Sequence, residues 1–332
     1  MRKPVLAVTI GDPSGAGPEI CVKAIKAGRY DSQAKLVLYG DERVIRKAQT
    51  IVGDATPIQL VGSPKDFVEG KLNVLDVEAL VGEWSYAKVQ ANCGKAAFEY
   101  IHKAVTDAIA EVNDGVVTGP INKEAMNLAG IHYEGMTEIF ATLTETKDYA
   151  MLLTGGPLKV IHVSTHCSML DACKRVTKER VYKVIKLAHE AMQNLGYQKP
   201  RIAVAGFNCH AGEGGLFGRE EIEQIIPAMD QARAEGVELY GPLPPDTVFL
   251  RMKNGQYDIV VAQYHDQGHI PLKIVDFMGG VNVTVGIPII RTSVDHGTVF
   301  GKAGKGTADE ASMHQAIELG IKFALSRIAK TQ

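Results

Sequence analysis

Val160-Ile161-His162-Val163-Ser164-Thr165-His166, Ile202-Ala203-Val204-Ala205-Gly206-Phe207-Asn208-Cys209-His210 and Ile259-Val260-Val261-Ala262-Gln263-Tyr264-His265 are three apolar runs that each end in a histidine. Rich in Val, Ile and Ala, each run reads as a buried strand. The first two precede helical stretches, and a loop containing Gly and Pro is expected after the third. In open α/β sheets, ligands bind outside the carboxyl ends of the strands. Three imidazoles delivered there by three strands, His166, His210 and His265, suit a divalent metal with open coordination positions. A lone histidine at a strand end is more often a hydrogen-bonded structural residue, so the matching positions carry the inference. His162 lies four residues before His166 on the same strand face and reads as a core or supporting histidine. His269 and His296 sit in expected loops as candidates for substrate contact.

Around these runs, apolar strands alternate with amphipathic helices from end to end, which argues an α/β fold. Strands are expected over residues 4–10, 34–39, 115–118, 149–154, 159–163, 201–205, 258–262 and 281–285. Helices are expected over 93–112, 178–195, 220–235 and 308–328. In the second of these, Val181, Val184, Ile185, Leu187 and Ala188 form one apolar stripe. The 332 residues suffice for two domains, expected as 1–130 plus 300–332 and 131–299, with the active site in a cleft between them.

Bulk properties narrow the class. The chain is 45% hydrophobic and 22% charged with a formal net charge of −2, as in an ordinary globular enzyme. No basic stripe argues for nucleic acid. No apolar stretch approaches the roughly 20 residues a membrane span needs. The N-terminal run into Asp12-Pro13 reads as a first strand rather than a signal peptide. Five cysteines, odd in number and without a CxxC pair, fit a reducing cytoplasm better than a disulfide framework. Cys167 and Cys209 adjoin histidines, but neighbours on a strand point to opposite faces, which disfavours them as ligands.

Two glycine-rich segments border on phosphate-binding patterns. Gly11-Asp12-Pro13-Ser14-Gly15-Ala16-Gly17 follows the first strand. It is neither G-x-G-x-x-G nor a P-loop, and reads equally as a tight turn or a binding loop. In Gly301-Lys302-Ala303-Gly304-Lys305-Gly306-Thr307, Gly306 separates Lys305 from Thr307, which rules out a P-loop and nucleotide hydrolysis. A basic loop beside a cofactor phosphate stays open. Lys273, Arg291 and Lys302 are basic residues at expected loop edges; converging on one pocket, they would hold a phosphate or carboxylate.

Taken together, these motifs resemble the 4-hydroxythreonine-4-phosphate dehydrogenase (PdxA) family of pyridoxal phosphate biosynthesis. The resemblance runs through Gly11-Asp12-Pro13, Thr118-Gly119-Pro120-Ile121-Asn122-Lys123, Gly135-Met136-Thr137-Glu138 and His162 to His166. It continues in Asn208 to Glu213, Gly241 to Thr247, Tyr264 to Gly268 and Arg291 to Thr298. It implies an isocitrate/isopropylmalate dehydrogenase-like fold and a homodimer whose active site is shared between subunits. It implies metal ligands at His166, His210 and His265, and substrate contacts at Thr137, Lys273, Asn282 and Arg291. Lys273 is also a candidate proton carrier, and Gly11, Asp12, His296 and Gly297 are candidates for cofactor contact. The implied cofactors are NAD, with NADP as the alternative, and a divalent metal; zinc suits imidazole, and magnesium, manganese and cobalt stay open.

The chain departs from the family where Gly-His-Thr-Glu becomes Gly135-Met136-Thr137-Glu138, since methionine neither carries charge nor exchanges a proton. It departs again at Gly301-Lys302, where relatives commonly carry an aspartate, and at Cys209, where proline is usual. Leu216-Phe217-Gly218, Pro244 to Leu250 and Gly268 to Lys273 are similar to the branch acting on 4-phospho-D-threonate and 4-phospho-D-erythronate. The expected reaction is metal-assisted, nicotinamide-dependent oxidation and decarboxylation of a 4-phosphorylated 3-hydroxy acid. A metal-dependent hydrolase is the alternative that needs no nicotinamide, and a lapsed metabolite-binding paralogue is the alternative that Met136 keeps open.

Overall fold

The computed structural model describes residues 2–277 and 279–331, which divide into two compact units. The first comprises residues 1–145 and 288–332, the second 146–287. From the sequence the divisions are expected at 130/131 and 299/300. They fall later and earlier because helix Met136–Leu143 packs on helix Ala91–Ile109 and strand Arg291–Val294 pairs with strand Gly115–Thr118.

The first unit is built on six strands, β1 (Val5–Thr9), β2 (Lys35–Gly40), β3 (Ile58–Leu60), β4 (Leu72–Asp76), β5 (Gly115–Thr118) and, late in the chain, β12 (Arg291–Val294). Their order is β3-β4-β2-β1-β5-β12, and every pairing is parallel. Helices α1 (Gly17–Ile25), α2 (Glu42–Val52), α3 (Ala91–Ile109), α4 (Lys123–Leu128), α5 (Met136–Leu143) and α11 (Ala311–Thr331) belong to this unit. Parallel strands covered on both faces read as continuous apolar runs, and Leu6, Ala7, Val8, Val37 and Leu38 are fully buried.

The second unit holds β6 (Ala150–Gly155), β7 (Leu158–His162), β8 (Ile202–Ala205), β9 (Leu239–Leu243), β10 (Ile259–Ala262) and β11 (Val281–Val285). Its order is β11-β6-β7-β10-β8-β9; β7, β10, β8 and β9 run parallel, while β6 is antiparallel to both neighbours. Gly156, with φ 51°, turns the β6–β7 hairpin. Helices α6 (Met169–Arg175), α7 (Lys178–Asn194), α8 (Ile226–Ala234), α9 (Pro245–Lys253) and α10 (His265–Val275) complete the unit. Helix α7 starts where Thr177 Oγ1 caps the Arg180 amide, and it buries Val181, Val184, Ile185 and Ala188 of the expected stripe.

Two expectations are corrected. The stretch after His265 is helix α10 rather than a loop, although it contains Gly268 and Pro271. Gly268 is needed where it stands, because a Cβ there would lie 2.3 Å from His162 Nε2. Arg291 opens β12 instead of edging a surface loop, and it is 1% exposed. No helix among the described residues is long and apolar enough to cross a membrane.

Helices α3 and α4 meet at Gly94, where a Cβ would sit 2.2 Å from the Ala125 carbonyl carbon and 2.4 Å from the Met126 nitrogen. Alanine there gains about 1 kcal/mol of helix propensity, whereas overpacking costs about 1–3 kcal/mol or more. Backbone atoms cannot rotate aside, so the cost should win. Gly94→Ala is expected to lower the apparent melting temperature by several degrees, with a net loss of ~1–2 kcal/mol. An unchanged or raised melting temperature would contradict this packing.

Candidate active site

Strands β7, β10 and β8 are consecutive neighbours, and His166, His210 and His265 follow their carboxyl ends. Two buried glutamines fix these ends. Gln263 Nε2 donates to Ala205 O at 2.8 Å, and Gln267 Nε2 donates to Gly206 O at 2.8 Å. The Gln267 side-chain oxygen accepts the Gln263 amide at 2.7 Å, and Ser164 Oγ donates to Gln263 O. The first turn of α10 is thereby tied to the end of β8. No motif announces these glutamines; only their place after an apolar run hints at them.

The imidazoles differ in setting. His162 is 1% exposed; its Nδ1–H donates to Met151 O at 3.2 Å, leaving Nε2 unpartnered. Burial drives its pKa down to about 3, with His269 adding repulsion, so the ring is neutral. The His269 ring lies 4.7 Å from His162 and stacks on His265 at 3.6 Å. His265 Nδ1–H donates to Asp266 Oδ1 at 2.7 Å, which leaves Nε2 as the lone-pair donor. A carboxylate on the second nitrogen is the usual support of a metal-binding imidazole. The His166 and His265 ring centroids are 6.0 Å apart. Two imidazoles on one tetrahedral ion, with metal–nitrogen distances of about 2.0–2.1 Å, hold their centroids roughly 5 Å apart. The observed separation is about 1 Å wider than that.

His210 is not brought to that pair. It is exposed, with its ring 6.1 Å from Phe217, and no group of three His, Cys, Asp or Glu among the described residues closes on one point. It sits in the segment Cys209–Gly215, where His210, Ala211 and Glu213 have φ of 51°, 52° and 43°. Left-handed backbone costs a non-glycine residue roughly 1–2 kcal/mol, so this segment holds strain of the kind that collects at functional sites.

The expected substrate residues divide between the units. The first unit carries Met136, Thr137 and Arg291, the second Lys273 and Asn282. Arg291 donates to Thr118 Oγ1 at 3.4 Å and places its guanidinium 5.4 Å from the Phe140 ring. Burial lowers its pKa to about 9 despite the opposing pull of Glu138 and Asp295, so it stays cationic at neutral pH. Thr137, 2% exposed in the first turn of α5, leaves its Oγ1 without a hydrogen bond. A buried cation and an unsatisfied hydroxyl on neighbouring elements suit an oxyanion. Lys273 lies 5.6 Å from the Phe277 ring, and Asn282 is half-buried on β11.

The glycine-rich segments expected to meet a cofactor lie side by side. Ala16 N–H donates to Thr298 O, and Gly15 has no room for a Cβ against Thr298. Gly11, at φ 73°, faces Pro120 O, 2.3 Å from where a Cβ would stand. His296 Nδ1 is 2.8 Å from Gly297 O within the same segment as Thr298. Glu19, fully buried, accepts the Gly304 and Gly306 amides, and Lys23 donates to Ala308 O, so α1 clasps the basic loop that precedes α11.

Asp12 is fully buried; its Oδ1 accepts the Ser14 amide and its Oδ2 has no partner. Burial raises its pKa from 3.8 to about 6. A raised carboxyl contributes stability below its ordinary pKa and loses it as pH climbs through the folded value, here by up to about 3 kcal/mol. Asp12→Asn should therefore unfold at a higher temperature than the parent at pH 8 and match it near pH 4. A difference independent of pH would contradict the buried-carboxylate account.

A family model described as pyridoxal phosphate biosynthetic protein PdxA matches residues 32–320. A D-threonate 4-phosphate dehydrogenase of Salmonella typhimurium is 46% identical, the match covering 98% of this chain and 100% of the relative. A crystal structure of a 4-hydroxythreonine-4-phosphate dehydrogenase from Klebsiella pneumoniae is 44% identical, with a TM-score of 0.85 over 97% of this chain and 98% of that one. An isocitrate dehydrogenase from Methylococcus capsulatus, 14% identical with a TM-score of 0.50 over 99% of this chain and 89% of that one, shares the fold alone. The architecture is thus the two-unit α/β fold of the isocitrate dehydrogenase type, and the chain belongs to the PdxA family.

Proposed function

We propose that this protein is a dehydrogenase that oxidises a 4-phosphorylated 3-hydroxy acid, using a divalent metal and a nicotinamide dinucleotide. The observation that carries the reading is the delivery of His166 and His265 from neighbouring parallel strands, 6.0 Å apart, with Asp266 behind His265. The names of the Salmonella and Klebsiella relatives support a phosphorylated hydroxy-acid substrate. The ion is held by His166 and His265, with the third imidazole supplied as the partner subunit's His210.

When bound, the metal acidifies the substrate hydroxyl and the nicotinamide accepts the hydride. The chain's own residues do the rest. Arg291 and Thr137 hold the substrate's anionic end, and Lys273 and Asn282 orient the molecule. Lys273 carries the proton released or returned at the hydroxyl. Gly11, Asp12, His296 and Gly297 line the dinucleotide. Oxidation at C3 yields a 3-oxo acid; the C1–C2 bond breaks to release carbon dioxide, and the enolate left behind takes up a proton at C2.

Met136 argues for a substrate without a basic group at that end, hence 4-phospho-D-threonate or 4-phospho-D-erythronate over 4-phosphohydroxy-L-threonine. Zinc-supplied protein should produce NADH from the sugar acids and little from the amino acid. NADH from the amino acid alone would overturn the substrate assignment, and none from either would overturn the dehydrogenase. His166→Ala, His210→Ala and His265→Ala should each lose turnover by more than about a hundredfold together with bound metal. Near-normal metal content in all three would refute the ligand set.

The second subunit is supported by a surface of the second unit. A groove of ≈ 510 Å³ beside His265 is lined by Phe249, Leu250, Tyr264, Ile270 and Ile274. Leu250, Ile270 and Ile274 in its lining are 55–79% exposed, and apolar exposure of this kind supports association there. A second copy of this chain is the occupant that also completes the imidazole set. The double variant Leu250→Asp/Ile274→Asp should sediment as a monomer and bind zinc at least about tenfold more weakly. A monomeric parent protein would overturn the shared site.

A further inference from the structure

We infer that Glu221 is the positioning residue that presents His210 to the metal, an inference that rests on the metal site proposed above. Glu221 is 2% exposed and opens the π-helical turn Glu221–Ile225 ahead of α8. Such single π turns recur at functional sites. Its Oε1 accepts the Phe207 amide at 2.8 Å and the Asn208 amide at 2.7 Å. Its Oε2 accepts Asn208 Nδ2 at 2.9 Å, and that same nitrogen donates to Glu220 Oε2 at 2.7 Å. Among the described residues no cation pairs with the buried carboxylate; the partners of its oxygens are amides of the two residues that lead into Cys209 and His210.

The surroundings are shaped around this grip. A Cβ on Gly206 would lie 3.2 Å from Glu221 Oε1, and one on Gly212 would lie 2.7 Å from Oε2. A Cβ on Gly218 would lie 2.5 Å from Asn208 Nδ2. Glycine therefore stands at three points, Gly206, Gly212 and Gly218, where a side chain would crowd the carboxylate or its asparagine. Between these contacts the backbone runs left-handed through His210, Ala211 and Glu213, a path those residues do not choose unaided. A strained loop that bears an exposed imidazole needs an external anchor, and Glu221 is placed to be it. Glutamine replaces it only in part: its one side-chain oxygen can still accept the Phe207 and Asn208 amides, but its NH₂ would face Asn208 Nδ2 with hydrogen of its own.

The test is metal binding, read without turnover. Zinc affinity is measured by chelator competition, and the visible absorption of the cobalt-substituted protein reports coordination. Glu221→Gln is expected to bind zinc about tenfold to a hundredfold more weakly, with its cobalt spectrum shifted toward that of His210→Ala, while circular dichroism and association state stay as in the parent. Asn208→Ala, which keeps both backbone contacts, should shift both readouts the same way by less, and it carries the test if Glu221→Gln does not fold. Parent-like zinc affinity and cobalt spectrum in the glutamate variant, or in Asn208→Ala where that stands in for it, overturn the inference. Parent-like affinity in His210→Ala removes His210 from the ligand set and overturns the inference, whereas the metal reading itself falls only if His166→Ala and His265→Ala also keep parent-like affinity.

Discussion

Parallel pairing of β7, β10 and β8 is the constraint on which the candidate site depends. In a parallel set every carboxyl end lies on one edge, so three consecutive strands deliver their following residues to one edge of the sheet. Val260 pairs with Val160 on one side and Ala203 on the other, which fixes the relative height of the strand ends. The core beneath them, with Leu153, Val160, Ala203 and Val260 fully buried, holds that register. Gln263 and Gln267 extend it past the last ladder bond by bonding across to β8. Side chains at the edge inherit their positions from this network more than from their own contacts.

Two buried carboxylates, one in each unit, are held by backbone amides. Glu19 and Glu221 accept amide hydrogens, and Arg291 rests between Thr118 and the Phe140 face. Amide partners leave a carboxylate's charge unneutralised but well solvated by dipoles, which makes it a stiff anchor for a loop. Thr137 differs, since its buried Oγ1 leaves its hydrogen-bonding capacity unused among the described residues. Burying such capacity is costly unless a ligand claims it.

Much of this was legible in the sequence, and the failures have physical causes. The eight expected strands form because each is a dense apolar run, and the α7 stripe buries because its spacing follows the helical period. Strand β12 escapes notice because it opens with Arg291, whose charge suggests water, and because Pro288 stands just before it. Helix α10 is masked by Gly268 and Pro271, which break helices in general. Here Gly268 is demanded by the approach of His162, a tertiary contact that no local pattern reveals. Strands β3, β4 and β9 are short, or interrupted by polar residues and glycine. The histidines could be placed after strand ends, while Asp266, which accepts from His265 Nδ1, carries no pattern that singles it out. The amide-bound Glu221 could not be named, because its partners lie 13 and 14 residues away in the chain.

The proposed chemistry turns on a divalent ion held by imidazoles from these strand ends. X-ray absorption at the zinc edge of the loaded protein tests it most directly. Three imidazole nitrogens at about 2.0–2.1 Å, with the multiple scattering characteristic of histidine rings, are predicted. A first shell containing sulfur, or one with fewer than two imidazoles, would contradict it.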